Sequence, residues 1–284
     1  MKSVSRMMDG RMIRQRKEDE MSVKTVEIQP VTEKQFHEID YLVMRQAFAV
    51  QNDLGRFYDE AIYQNELARC CLAVGLDSVE TEVPITVSHD DFTKTYFMDL
   101  LINRSVIYEL KTVRAFNGIH RRQLLNYLLL CQLYHGKLIN FRSPAVTHEF
   151  TSTSLDRKQR NLYELKLSDW CACDAESAQL KSIVEDLLAD WGVFLEASLY
   201  QEAVVHFLGG SEKVESHIDV LQKNIVLGQQ RVHMLNEQTA FFITAVKHQP
   251  SYRSYLENLL LHTHIQSIQW INFNNHDVEF STLT

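Results

Sequence analysis

Asp99, Glu109 and Lys111 are the residues of this chain whose types and spacing come nearest to a reaction centre. The segments Tyr96 to Ile102 and Val106 to Lys111 are rich in apolar and β-favouring residues, and Asn103-Arg104-Ser105 between them suits a three-residue hairpin turn. A turn centred on Arg104 sets Asp99 across from Glu109 at a Cβ separation of roughly 4.5–5.5 Å, and the side-chain period of two places Glu109 and Lys111 on one face. Two carboxylates so placed repel each other. A divalent cation with oxygen ligands would relieve that repulsion, and Lys111, one pleat further on, would hold a hydroxide or a phosphate oxygen. This is the minimal equipment for metal-assisted hydrolysis of a phosphodiester. The competing reading is an ordinary salt-bridge cluster on a solvated sheet face.

The elements that must position these groups can be read on either side. Phe36, Ile39, Leu42, Val43, Phe48 and Val50 recur at roughly helical spacing from Lys34 to Gln51, ahead of a break at Asn52-Asp53-Leu54-Gly55. A second helix is expected from Phe57 through Val74, with Gly75 as its stop and Glu60 and Tyr63 three residues apart. A strand around Glu82 to Val87 and a polar turn at Ser88 to Asp91 then lead into the hairpin. After it, Arg121 to Leu133 reads as an apolar helix carrying Gln123 and Tyr127 one turn apart, and Lys137 to Phe141 as a buried strand. The alternation predicts a mixed α/β sandwich around a central sheet.

A chain of 284 residues with 45% hydrophobic content favours two domains over one. Five cysteines without CxxC spacing read as reduced thiols, and no apolar run approaches the length of a signal peptide or a membrane span, so a cytoplasmic protein with no membrane partner is expected. Residues 1–25 read as a charged, disordered leader, with Met21 as a candidate natural start. The net charge of -8 excludes a protein that coats nucleic acid through bulk electrostatics. A local cluster remains in Arg114, Arg121, Arg122, Lys137 and Arg142, followed by Arg157, Lys158 and Arg160; it reads as phosphate positioning or as a solvated basic face. The twelve histidines lack zinc-binding context, and no Walker or dinucleotide fingerprint is present.

From Phe36 to Phe150 the chain resembles the GxxExxY proteins, a branch of the PD-(D/E)xK nuclease superfamily. The carriers are the block Gly55 to Tyr63, Phe97-Met98-Asp99, Tyr108-Glu109-Leu110-Lys111, Gln123 to Leu128 and Leu138-Ile139-Asn140-Phe141. Each is short, but the five occur in the expected order. The glycine of the first block lies five residues before Glu60 rather than three. The resemblance implies a restriction-endonuclease-like core, a mixed central sheet flanked by helices. It also implies that Asp99 and Glu109 hold Mg²⁺ or Mn²⁺, that Glu60 completes the site, and that Lys111 orients the attacking water or stabilises negative charge. Gln123 would position Lys111 or the water. Arg114, Arg121, Arg122 and Tyr127 are the candidate nucleic-acid contacts.

The second half echoes the first without its chemistry. Gly192 to Gln201 aligns without gaps to Gly55 to Gln64, with Ala197 opposite Glu60, and Trp270-Ile271-Asn272-Phe273 echoes Leu138 to Phe141. Between these anchors the alignment sets Met234-Leu235 against Met98-Asp99, Ala245-Val246-Lys247 against Glu109 to Lys111, and Tyr255 against Gln123. The expected organisation is therefore a leader over 1–25, a nuclease-like domain over 26–155 and a degenerate copy over 156–284, linked through Thr151 to Asp174. The leading functional reading is a Mg²⁺-dependent nuclease acting on nucleic acid, DNA before RNA. The alternative is a non-catalytic nucleic-acid-binding or protein-interaction module. A homo-oligomer or membership of a larger complex stays open.

Overall fold

The structure, a computed structural model, describes Arg6–Met8, Arg11–Ile13 and residues 22–284. Met21 and most of the expected leader lie outside the described residues. Strands β1 (Arg6–Met8) and β2 (Arg11–Ile13) pair antiparallel, and β3 (Ser22–Lys24) joins the first large sheet, so strand pairing there begins at Ser22.

One compact unit comprises residues 21–157. Helix α1 (Glu33–Leu54) opens on a capping box in which Thr32 and Gln35 satisfy each other's backbone N–H, and it buries Phe36, Val43, Met44, Ala47 and Val50. Phe48, expected inside, faces outward, and Met44 and Ala47 complete the apolar stripe instead. Helix α2 (Glu60–Ala73) begins three residues later than its apolar pattern suggests. The reason lies in Tyr63, whose hydroxyl donates to Gly55 O (2.8 Å) and accepts from Tyr58 N (3.3 Å), holding 55–59 as a loop. Phe57 and Tyr58 are thereby left exposed.

The sheet follows as β4 (Val79–His89), β5 (Phe92–Ile102) and β6 (Val106–Lys111), then α3 (Gly118–Cys131), β7 (His135–Asn140) and β8 (Thr147–Ser152). Its order is β3-β4-β5-β6-β7-β8, antiparallel except for β6 and β7, which run parallel because α3 connects them. Strands β4 and β5 are longer than their apolar cores, meeting at a tight turn where Asp90 takes a left-handed φ of 48°. Helix α3 starts at Gly118, before its apolar run, because the Asn117 side chain accepts from Ile119 N and His120 N.

One sheet face, carrying Leu100, Ile102, Tyr108, Leu110, Ile139 and Phe141, packs under α1 and α2. The alternation along β6 turns Glu109 and Lys111 to the other face. There α3 approaches closely enough that a Cβ on Gly136 would stand 3.0 Å from Leu124 Cδ1 and 3.1 Å from the Ile107 carbonyl.

The other unit takes in residues 158–284. Within the connection, α4 (Arg157–Arg160) and β9 (Glu164–Asp169) precede α5 (Ala175–Trp191), α6 (Ala197–Phe207) and the short α7 (Ser211–Val214). Strands β10 (Glu215–Gln222), β11 (Ile225–Met234) and β12 (Thr239–Thr244), helix α8 (Gln249–Leu261), and strands β13 (Ser267–Asn274) and β14 (Asp277–Leu283) complete it. Its sheet order is β10-β11-β12-β13-β14-β9, with β12 and β13 parallel across α8. Two helices, three antiparallel strands, a crossover helix and a final hairpin thus recur in both units. They differ at the extra strand: β3 pairs antiparallel with β4, whereas β9 pairs parallel with β14.

Local details recur as well. Gly55 (φ 77°, ψ −154°) ends α1 and Gly192 (φ 73°, ψ −152°) ends α5, each in a backbone region open essentially to glycine alone. The Tyr200 hydroxyl donates to Gly192 O (2.6 Å), as Tyr63 does to Gly55 O. We expect Gly55→Ala to destabilise its unit by about 1–3 kcal/mol, the strain of that region alone, since nothing lies within 4 Å of the added Cβ. Gly192→Ala should lose more, because its Cβ would also meet Asn161 Oδ1 at 2.6 Å and Arg160 O at 2.7 Å. Denaturant midpoints of the two variants check the order.

Candidate active site

The β5–β6 register pairs Leu100 with Tyr108, Leu101 with Ile107 and Ile102 with Val106, so Asn103-Arg104-Ser105 is the connection and one further step reaches Asp99 and Glu109. The carboxylates are tied into the hairpin backbone. Asp99 Oδ2 accepts from Leu110 N (2.7 Å), and Glu109 Oε1 accepts from Asp99 N (3.3 Å). Lys111 Nζ lies 3.3 Å from Asp99 Oδ2, 3.3 Å from Glu109 Oε2 and 3.7 Å from Glu60 Oε1, the last brought in by the first turn of α2. Side-chain exposure falls from 40% at Glu60 through 16% at Asp99 and 11% at Lys111 to 0% at Glu109.

Burial sets the electrostatics. Glu109 is pushed well above the usual carboxylate range, first by loss of water and then by the Asp99 charge, with Lys111 only partly opposing them. Glu60 is raised by burial too, against the pull of Lys111. For Lys111, burial is the largest influence and disfavours its charge, but Glu109, Asp99 and Glu60 together outweigh it and raise its pKa. Among the described residues no group of three or more His, Cys, Asp or Glu side chains is set to hold a metal ion. The cation at the focus of these carboxylates is the Lys111 ammonium.

Residues 37–152 match the family model described as PD-(D/E)XK nuclease superfamily. This stretch is a PD-(D/E)XK nuclease superfamily domain. No curated protein matches the chain. A solved structure titled "Crystal structure of SSO0001" is similar at 18% identity, covering 42% of this chain and 79% of its own, with a TM-score of 0.23.

Around this cluster stand three residues that spacing alone did not single out. Gln64, one turn after Glu60, is buried and donates to Glu82 Oε1 (2.7 Å) and to the Asp99 carbonyl (2.5 Å). Glu82 itself takes a left-handed φ of 51° in β4. His120, in the first turn of α3, accepts from Asn117 N through Nδ1 (3.2 Å), and burial and the nearby Lys111 charge lower its pKa. The available signals were helical spacing from Glu60 to Gln64 and from His120 to Gln123, which only the packing turns into proximity.

The other candidates are distributed more widely. Gln123 donates to the Tyr127 hydroxyl (3.0 Å), and Tyr127 is buried with its ring edge-on to Tyr96. Arg114 and Arg122 are exposed, whereas Arg121 forks onto Glu149 at 2.6 and 2.7 Å. Two members of the expected basic cluster are internal. Lys137 is buried in an ion pair with Asp40, and Arg160 is buried against the carbonyls of Trp191 and Val193. Neither presents charge to a phosphate.

In the unit containing 158–284 the register corrects the expected alignment by three residues. Asn140 bonds Val113 through both N–H and C=O and pairs with Lys111, and Asn272 does the same with Val246 and pairs with Thr244. Thr244 therefore stands where Lys111 does and Phe242 where Glu109 does, rather than Lys247 and Ala245. Continuing the β11–β12 pairing sets Val232 at the place of Asp99. None of these three residues carries a carboxylate.

Because the buried Glu109 carboxyl releases its proton at higher pH than in the unfolded chain, the ionised fold loses stability as pH rises from about 4.5 toward the folded value. Glu109→Gln removes that penalty. In metal-free buffer its thermal midpoint should exceed wild type by a margin that widens as pH rises above about 5. A margin constant with pH would show that burial does not raise this carboxyl.

Proposed function

We propose that the domain at 37–152 is a metal-dependent nuclease that hydrolyses phosphodiester bonds through Glu60, Asp99, Glu109 and Lys111. The observation that supports this most directly is the convergence of three carboxylates on one ammonium at 3.3–3.7 Å, at the positions that carry the superfamily resemblance. The donor set suits Mg²⁺ or Mn²⁺, since Glu60, Asp99 and Glu109 offer only hard oxygen ligands. Bound there, a divalent ion would supply Lewis-acid polarisation of the scissile phosphate.

The protein's own contribution centres on Lys111. Its ammonium remains charged at neutral pH and can exchange a carboxylate contact for a phosphate oxygen or the attacking water, placing positive charge where negative charge develops. Gln123, anchored through Tyr127, is proposed to orient Lys111 or that water. Arg114 and Arg122, with Arg121 once released from Glu149, are proposed phosphate contacts. DNA is placed before RNA on the strength of the superfamily resemblance. The unit containing 158–284 is proposed to be a degenerate copy with a structural or recognition role, supported by the repeated connectivity and by the Gly–Tyr and Asn–backbone pairs.

One observation favours a second reading, a non-catalytic binding module: the Lys111 ammonium occupies the focus of the carboxylates, and among the described residues no group of three or more His, Cys, Asp or Glu side chains is set to hold a metal ion. Calorimetry separates the two. The nuclease reading expects Mn²⁺ or Mg²⁺ to bind wild type and not Asp99→Ala, and a protein indifferent to both ions supports the module. Lys111→Ala should lower cleavage by at least about 100-fold. It should also destabilise the metal-free protein by about 3–5 kcal/mol, because buried carboxylates lose their counter-charge. Added Mg²⁺ should recover that stability without recovering cleavage. Wild-type cleavage in this variant would remove the proposed site.

A further inference from the structure

The loop ahead of α2 carries an exposed aromatic ring with two guanidinium groups within about 5 Å of its centroid. Phe57 is 68% exposed and Tyr58 50% exposed, while Arg56 Cζ lies 5.0 Å and Arg142 Cζ 4.9 Å from the Phe57 ring centroid. Among the described residues neither arginine has a carboxylate partner. A phenylalanine normally hides. Here the ring remains 68% exposed even with both guanidiniums over it, which leaves ring surface free for a further partner.

The supports beneath are rigid. Tyr63 pins Gly55 O and Tyr58 N, and its ring stacks on Phe141 at 4.6 Å with an interplanar angle of 9°. The Asn140 side chain accepts from Arg142 N (3.1 Å), and Gln51 donates to Phe141 O (2.7 Å) and Ser143 O (3.0 Å) on either side of Arg142. These same anchors connect to the candidate site. Phe57 precedes Glu60 by three residues, a Cα span of at most roughly 11 Å, and Asn140 pairs with Lys111.

The corresponding loop in the 158–284 unit shows that the turn itself does not require this surface. It has the same glycine conformation and the same tyrosine bond, yet Val193 and Leu195 are buried and Phe194 rests edge-on against His276 at 4.8 Å. Among the described residues, the exposed ring with two cations over it occurs at this loop in the unit with the carboxylates and not at its counterpart.

We propose that Arg56, Phe57 and Arg142 form a platform for single-stranded nucleic acid, with an unpaired base stacked on Phe57 and the guanidiniums on the flanking phosphates, delivering the strand to Glu60 and Lys111. A base in an intact duplex has no free face to offer, so the platform selects single strands, frayed ends or flaps. This rests on the nuclease reading for its direction toward the site, but its test does not need cleavage.

The experiment is fluorescence anisotropy of the full chain with a labelled single-stranded oligonucleotide and a blunt duplex of the same sequence, in EDTA. Phe57→Ala should weaken single-strand binding about 5- to 150-fold with less than about a twofold effect on the duplex, and Phe57→Trp should restore it. The Arg56→Ala/Arg142→Ala double variant should reduce the slope of log affinity against log salt by about 1.4 for the single strand. Unchanged single-strand binding in Phe57→Ala, equal losses for both substrates, or no binding by wild type would each overturn the platform. A chain that binds as described but never cleaves in Mg²⁺ or Mn²⁺ retains the platform and loses the nuclease reading. A chain that cleaves while Phe57→Ala binds normally does the reverse.

Discussion

The structure of the first unit turns on a desolvated charge problem: two carboxylates from adjacent strands, one fully buried, brought within reach of one ammonium. Burying Glu109 next to Asp99 is unfavourable by both loss of hydration and like-charge repulsion. The hairpin accepts this because its backbone amides bond to both acids and Lys111 supplies a counter-charge that three carboxylates keep protonated. Such a cluster is a poor way to stabilise a sheet. It is a good way to keep a polar centre preorganised, with its donors and charges already oriented at little further reorganisation.

The framework that holds the centre is separable from the centre. A tyrosine hydroxyl on a glycine carbonyl fixes the helix-to-helix loop, and an asparagine side chain bonded to both backbone groups of a passing segment fixes the end of the parallel strand pair. Both devices occur twice, in Tyr63 with Gly55 and Asn140 with Val113, then in Tyr200 with Gly192 and Asn272 with Val246. In the second set, apolar or uncharged residues stand at the positions of the acids and the lysine. Satisfying buried backbone polar groups is needed for either unit to fold, whereas clustering charge is not.

Much of the first unit was legible because its signals are local. The alternation along Val106 to Lys111 and the three-residue connection settled which side chains share a face, and the pairing of Asp99 with Glu109 followed from arithmetic on the turn. Less was legible where a distant partner decides. Lys137 reads as a surface cation until Asp40, from α1, is brought beside it, and Arg160 until the carbonyls of Trp191 and Val193 enclose it. The start of α2 was misplaced because the apolar Phe57 fits a helical pattern, and only the Tyr63 hydroxyl holds that residue outside the helix. The offset of three residues in the second unit arose because its segments there are apolar and lack the polar landmarks that fix an alignment.

By itself the sequence determined the sheet-and-helix alternation and the position of the acidic pair and its lysine, since each depends on short-range periodicity and residue type. Only the tertiary structure decided that Glu60 and Gln64 reach the strands, that Lys111 sits at the focus of three acids, and that Phe57 lies exposed with Arg56 and Arg142 over its ring. Those outcomes depend on contacts between residues far apart in the chain, where burial and hydrogen bonding, rather than spacing, choose which charges meet.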